Sequence, residues 1–550
     1  MNEKTRAAAL PSITFLFLSA ILSAAPAYVR AQVPPGRQTI DITSSFKPVL
    51  RESAKLSFAP TPPRPDTTPP RLSYSIPVSN VIPPLSPFSI RPVERAVDSA
   101  SSWANSNHVR AGFGNLNTPL LEAGLSFGDT RNRVALTASH ISSQGRIRHQ
   151  DYARTRLQAV AAMAAGANAE WTLKAGLSQD RQFQYGYDTT IFRMFGKDQL
   201  LRRYNTVTLS TGLRNLAPTE FGLRYHPTVS VDILRDNRSA EEADIVVDLP
   251  IEKAIGERFA IGLGVNADLT KLRPDKLPAI SNNLFTVPLT LSYQGEKAGL
   301  KGGIIPSWDN GQFVLLPTLR AEMPIAGEKW ILQAAWIAHY EKGSYRRLAG
   351  LNPFIDVPVT LRNTRITERF AGFRGVLAKT FTYSARAGVT TFRNAPLFVN
   401  DALSGKSFNT LFEERIEALH VKGEMGYVQG EQFSLQTSLN FYGFTKQVTE
   451  DKPWGMVPIE LEGHLRWRIL KDLWFQTDMY LWRGAQFRLK PGQSVRVDGA
   501  FDLNAALEFR VARMLSLWAR FNNITNARYQ RWYQYDCYGF NMTGGLAMIF

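Results

Sequence analysis

Phe540-Asn541-Met542-Thr543-Gly544-Gly545-Leu546-Ala547-Met548-Ile549-Phe550 ends the chain, and Phe540, Met542, Gly544, Leu546, Met548 and Phe550 form a period-two row finishing on an aromatic residue. Successive side chains of a strand point to opposite faces, so this row makes one face apolar. The pattern recurs upstream. Phe501, Leu503, Ala505, Leu507, Phe509 and Val511 alternate with Asp502, Asn504, Ala506, Glu508 and Arg510. Val457, Ile459, Leu461, Gly463, Leu465, Trp467 and Ile469 alternate with Pro458, Glu460, Glu462, His464, Arg466 and Arg468. Residues 259–269, 330–340, 433–441 and 473–481 follow the same rule, with aromatics at several ends. Each segment has roughly the length of a tilted membrane-spanning strand, and terminal aromatics suit interface girdles.

A soluble sandwich can alternate too, so the connections discriminate better. Short links fall near 129–132, 166–169, 215–218, 252–257, 294–297, 325–328, 377–380, 428–432, 470–472 and 512–513, which makes ten turns. Longer polar and aromatic stretches lie between them, among them 179–203, 341–363, 393–407, 443–456, 484–497 and 525–538, eleven in all. Turns and loops of alternating length are the habit of membrane barrels. The expected fold is therefore all-β: a transmembrane antiparallel β-barrel of about 22 strands over residues 105–550, closed so that every backbone group is paired.

Composition agrees. The 550 residues are 44% hydrophobic and 20% charged, with one cysteine, which excludes a disulfide scaffold and a disordered polymer. A helical membrane bundle is excluded because the only long apolar run lies at residues 7–27. There Lys4 and Arg6 precede the apolar stretch 13–22 and small residues follow it, as in a secretory signal peptide. Cleavage after Ala31, leaving Gln32 first, is preferred to cleavage after Ala27. Residues 32–104 form an arm in which 14 of the 32 prolines lie between Val33 and Pro92, so regular helix or central strand is not expected. Thr39-Ile40-Asp41-Ile42-Thr43-Ser44-Ser45-Phe46 has β character and can add to a sheet edge, although a flexible linker is the plainer reading.

The net charge of +17 would suggest nucleic acid in a cytoplasmic protein. After export the available polyanions are lipopolysaccharide phosphates, acidic glycans and anionic solutes. No nucleic-acid motif is present. The seven histidines are scattered without zinc-ligand spacing, Cys537 has no partner in the chain, and no nucleophile elbow or phosphate-binding loop occurs. No enzyme activity, cofactor or metal is expected.

Two sets of residues stand out. Glu460, Glu462, His464, Arg466 and Arg468 share one strand face, either as the hydrated wall of a lumen or as a ladder that contacts solute. Arg528, Arg531, Trp532, Tyr533 and Tyr535 share one loop. Arginine beside aromatics suits sugar stacking, anion contacts or a protein hot spot, while packing in the last hairpin or anchoring at the interface is the structural alternative.

The C-terminal row, Phe540, Met542, Leu546, Met548 and Phe550, resembles the signal read by the barrel-assembly machinery of Gram-negative outer membranes. Phe521-Asn522-Asn523-Ile524-Thr525-Asn526-Ala527-Arg528-Tyr529, with the Gly544-Gly545 strand, resembles the final hairpin of TonB-dependent receptors. Phe46-Lys47-Pro48-Val49-Leu50, Ala111-Gly112-Phe113-Gly114-Asn115, Ser139-His140-Ile141-Ser142-Ser143 and Asn352-Pro353-Phe354 resemble a plugless, TonB-receptor-like barrel family of Bacteroidota. The resemblance implies a cell outer membrane location, surrounding lipid and lipopolysaccharide, and transport or binding of a solute. TonB or a periplasmic protein is the implied partner of the arm. The chain departs from those receptors in its N-terminal region, because residues 32–104 are too few and too rich in proline for a folded plug. The competing reading is a structural or assembly barrel that serves as a platform for periplasmic or surface partners.

Overall fold

The computed structural model describes residues 107–188 and 195–550. The expected signal peptide, residues 1–31, and the expected arm, residues 32–104, lie outside the described residues. The described residues fold as a closed antiparallel barrel of 22 strands. The first strand, His108–Gly114, pairs with Thr118–Gly128 on one side and with the last strand, Asn541–Ile549, on the other. That second pairing removes both sheet edges and satisfies the ladder all the way round.

Four strands are locally interrupted at one height. Leu223–Tyr225 continues as Thr228–Asp236, Glu241–Asp248 as Ile251–Ile255, Phe259–Leu263 as Asn266–Arg273, and Ile280–Thr286 as Leu289–Gln294. Pro227, Pro250, Gly264 and Pro288 stand in the gaps. A proline cannot donate to the ladder, and Gly264 stands in register opposite Pro250 and Pro288, so the breaks gather where prolines enter the ladder while the register is the same on both sides.

Alternation maps onto inside and outside as the sequence suggests. Leu121, Leu157, Leu177, Leu209, Leu319, Met425, Leu517 and Leu546 are large, apolar and exposed, whereas Arg110, Glu170, Asp232, Thr270, Asn440 and Asp502 are buried. An apolar band of this extent, facing outward from every quarter of the barrel, is what a lipid-facing surface requires. In the strand Ala500–Ala512, Phe501, Phe509 and Val511 are exposed while Asp502 and Asn504 are buried. Met542, Leu546, Met548 and Phe550 lie on the exposed face of the last strand, and Phe550 exchanges backbone hydrogen bonds with Asn107.

All ten short links are turns at one end of the barrel. Two of the expected loops are shorter than the alternation implied. The strands Phe381–Asn400 and Phe408–Gln429 leave only 401–407 as loop, and Phe433–Gln447 extends well into 443–456. The reason is burial on both faces: Leu397, Phe398 and Val399 are all buried, so the polar alternate positions vanish. Val457 precedes its strand, Ile459–Leu470, and packs into the loop core instead.

Candidate functional site

The loop end is closed by the loops themselves. Residues 342–363 connect the strands Ile331–Glu341 and Thr364–Leu377, yet their contacts lie on strands much earlier in the chain. Ser344 caps a short helix, Tyr345–Leu351, by accepting from the Arg347 amide at 3.2 Å. At its N-terminus the Glu242 carboxylate accepts from the amides of Tyr345 (2.5 Å) and Arg346 (2.9 Å). Lys342 pairs with Asp268 at 2.8 Å and Arg346 with Asp232 at 3.0 Å, so two loop cations sit on an acidic stretch of the inner wall. Farther on, Gln182 donates to the Pro353 carbonyl at 2.7 Å and Gln184 to that of Phe354 at 3.2 Å.

Arg202 anchors this crossing. Its side chain is fully buried and donates to the Tyr345 hydroxyl at 2.5 Å and the Ile355 carbonyl at 3.2 Å, with the Asp236 carboxylate 3.5 Å away. Tyr345 in turn donates to Asp236 at 2.8 Å. Burial, with Tyr204 adding to it, holds the Tyr345 phenol well above its ordinary pKa, so it stays a donor.

The last loop, 523–540, meets the first from the opposite side. It carries a small hairpin, Gln530–Trp532 with Tyr535–Asp536. Tyr535 stacks on Phe354, and Trp532 touches Phe398, Phe408 and Phe487 edge-on. Tyr185 donates to the Asp536 carbonyl at 2.7 Å, Tyr535 to that of Lys406, and Tyr538 to that of Gln150. Gly186 permits this approach, since a Cβ there would lie 2.5 Å from the Tyr535 ring. The result is a hydrophobic core spanning the mouth, built from Tyr345, Leu348, Phe354, Ile355, Phe408, Phe487, Trp532 and Tyr535.

The aromatic set read from the sequence is thus brought together, but mostly inward. Trp532 and Tyr535 are each 2% exposed, Tyr533 packs against the same core, and Arg528 is exposed. Arg531 donates to the Gly455 carbonyl at 3.1 Å and lies over the Trp532 ring. Burial lowers its pKa, with the Glu460 carboxylate acting in the opposite direction. The two candidate sets therefore meet electrostatically at the loop end.

Glu460, Glu462, His464, Arg466 and Arg468 occupy one face of Ile459–Leu470, while Trp467 and Ile469 on the other face are exposed. Their cross-strand neighbours are polar or aromatic: Asn440, Ser438, Gln436 and Ser434 on one side, Trp482, Tyr480, Asp478, Gln476 and Trp474 on the other. The His464 ring and the Asp478 carboxylate are hydrogen-bonded at 2.7 Å. Carboxylates lie toward the loop end and arginines toward the turn end. Among the described residues, no group of His, Cys, Asp and Glu side chains could hold a metal ion.

Sequence reasoning missed Arg202, Asp236, Glu242 and Tyr345. No local motif marks them, because the partners of Tyr345 lie more than a hundred residues earlier.

A closed 22-strand antiparallel barrel with a polar inner wall, an apolar outer face and large folded loops is the architecture of a transmembrane β-barrel. It is structurally similar to TonB-dependent outer-membrane receptors. The FrpB iron transporter from Neisseria meningitidis superposes with a TM-score of 0.63 at 12% identity, over 82% of each chain. A variant of the ferric enterobactin receptor PfeA from Pseudomonas aeruginosa gives 0.60 at 11% identity, covering 81% of this chain and 80% of that one. The siderophore receptor PirA from Acinetobacter baumannii gives 0.61 at 8% identity, over 81% and 80%. No protein-family profile matches the chain, and no curated protein matches it in sequence.

Proposed function

We propose that the chain is an outer-membrane barrel of the TonB-dependent receptor type that binds and passes a solute. Its mouth is held shut by its own loops. The observation that carries this reading is the crossing of the mouth by residues 342–363 above a lumen wall lined with charge. A wall of fixed charges is what a polar solute needs below a closure that excludes water. Arg528, exposed beside the closure, makes the first contact, and Arg531, Trp532, Tyr533 and Tyr535 come within reach once the loops part. Glu460, Glu462, His464, Arg466 and Arg468 then line the path. The arm, outside the described residues, is assigned to TonB or another periplasmic partner on its β-forming stretch 39–46. The terminal Phe550 row is assigned to the assembly machinery.

A second reading, a platform for periplasmic or surface partners, draws on the cohesion of the loop core, which resembles the interior of a folded domain more than a set of free loops. Single-channel conductance in planar bilayers separates the two. The full-length protein is compared with a variant in which residues 345–360 are replaced by a short Gly-Ser link, each with and without residues 33–92. Large openings in the loop variant support passage. Silence in all four forms, with heat-modifiable migration showing folded barrels, would sink the transport reading and leave the platform.

A further inference from the structure

One arginine of the inner wall is buried without a counter-charge. The strand Leu515–Asn522 turns Ser516, Trp518, Arg520 and Asn522 inward and Leu517 outward. Arg520 is 4% exposed, yet its Nε and Nη2 have no hydrogen-bond partner, and no carboxylate pairs with it among the described residues. An unpaired buried charge is costly, and an orphaned group of this kind calls for a partner from elsewhere. The other two arginines buried among the described residues are matched. Arg110 meets Glu508 at 3.0 Å, and Arg202 donates to Tyr345 beside Asp236. The Trp518 ring does not fill the gap, for it already serves Arg110 at 4.7 Å from its centroid and lies 6.0 Å from Arg520, at the limit of cation–π contact.

The two unpaired nitrogens belong together. Nε and Nη2 form one edge of the guanidinium, and that edge donates two parallel hydrogen bonds to two oxygens of one anion. Around it the wall offers room and no acid. Arg520 stands opposite Ala506 on one side and Thr543 on the other. On the Thr543 side its side chain borders a small hollow with Thr118, Ser143, Tyr152, Asn522 and Asn541, and none of the described lining residues is a carboxylate. The hollow has room for about one water-sized group, which suits the flat end of a carboxylate and is too little for the four oxygens of a phosphate. Tyr538 of the last loop forms its roof, with its ring edge-on to Tyr152 and its hydroxyl donating to the Gln150 carbonyl.

We propose that Arg520 receives a carboxylate of the transported solute, which makes that solute an organic acid. The carboxylate takes both hydrogen bonds of the Nε–Nη2 edge, and its charge offsets the guanidinium where no side chain does. The hydroxyls and amides around the hollow complete the polar surroundings of the bound group. Arg520 stands two residues below the last loop, so this contact lies directly beneath the closure of the mouth. The assignment rests on the transport reading of the barrel and adds to it a substrate class.

The test is NMR line broadening of carboxyl-labelled acetate by the full-length protein in neutral detergent, with inorganic phosphate and chloride as competitors at equal ionic strength. Wild-type protein should broaden the acetate line, and neither competitor should narrow it. Arg520→Lys keeps the charge and loses the two-pronged edge, so acetate binding should weaken about tenfold, and Arg520→Gln should abolish it. Broadening that survives in both variants, or none in wild type, overturns the site. Narrowing by phosphate overturns the choice of a carboxylate. The competition is read on wild-type protein, so it stands even where a variant fails to fold. Acetate that binds only after residues 33–92 are removed would mean that the chain's own arm fills the site, which overturns the solute. Transport is judged separately, because binding in detergent needs no passage. Silence of the loop-shortened variant in planar bilayers, with Arg520-dependent binding intact, removes the transport reading and leaves the site.

Discussion

The ring of Phe354 lies against that of Tyr535, with centroids 3.6 Å apart and planes 23° from parallel. One residue belongs to the loop between Ile331–Glu341 and Thr364–Leu377, the other to the loop before the last strand. Their contact joins two loops from different sides of the mouth within one buried cluster.

Replacing Tyr535 by alanine removes this stack and the donation to Lys406. Truncating a buried aromatic costs about 3–5 kcal/mol, here drawn from the loop core and not from the barrel ladder. The expected result is a mouth that yields to limited proteolysis within 342–363 and 523–540 at unchanged barrel melting. Loops as resistant as in wild type would show that the stack does not hold the closure.

Asp236→Asn leaves Arg202 buried without its carboxylate. Breaking a buried pair by removing one partner typically costs about 3–5 kcal/mol, because the remaining charge is uncompensated. Tyr345→Phe removes the hydroxyl bonded to both residues and should cost less, about 1–3 kcal/mol. Hydrogen exchange at 342–356 measures both, and the order of the two variants is the prediction.

Burial, followed by the charge of Asp502, pushes the Cys537 thiol up to about 12 from an ordinary 9.0. The folded state therefore keeps a proton that the unfolded chain releases. The stability tied to the protonated thiol is complete below pH 9 and declines as pH rises toward 12, by about 1.4 kcal/mol per unit. Iodoacetamide at pH 8.5 should label boiled protein much faster than folded protein, and Cys537→Ala should flatten the loss of stability between pH 9 and 11. Rapid labelling of the folded form would contradict the burial of this group.

Arg466 and Arg468 stand toward the turn end of the lumen face. In the loop-shortened variant, reversing both to glutamate should shift the reversal potential in a salt gradient toward cation selectivity. An unshifted potential would place these side chains outside the conducting path.

Much of this architecture was legible in the residues. Period-two rows such as Phe501 to Val511, the ten short turns and the closing row to Phe550 specify strands, faces and an even strand number, because alternation is local and repeats every two residues. That Glu460, Glu462, His464, Arg466 and Arg468 share one strand face could be read for the same reason. Burial on both faces hid the ends of Phe381–Asn400 and Phe408–Gln429, where alternation disappears.

The mouth belongs to tertiary structure. Trp532 and Tyr535 could be recognised as an aromatic loop, but whether they face a ligand or a core depended on Phe354, Phe408 and Phe487 arriving from other loops. Arg202 meeting Tyr345, and Arg520 bordering a hollow with Thr118 and Ser143, likewise depend on loop crossing and strand register. The sequence by itself determined the wall of the barrel, since each strand's pattern is complete within about ten residues. Only the closed fold decided the mouth and the hollow beside Arg520, since these join side chains far apart in the chain and leave no local period to read.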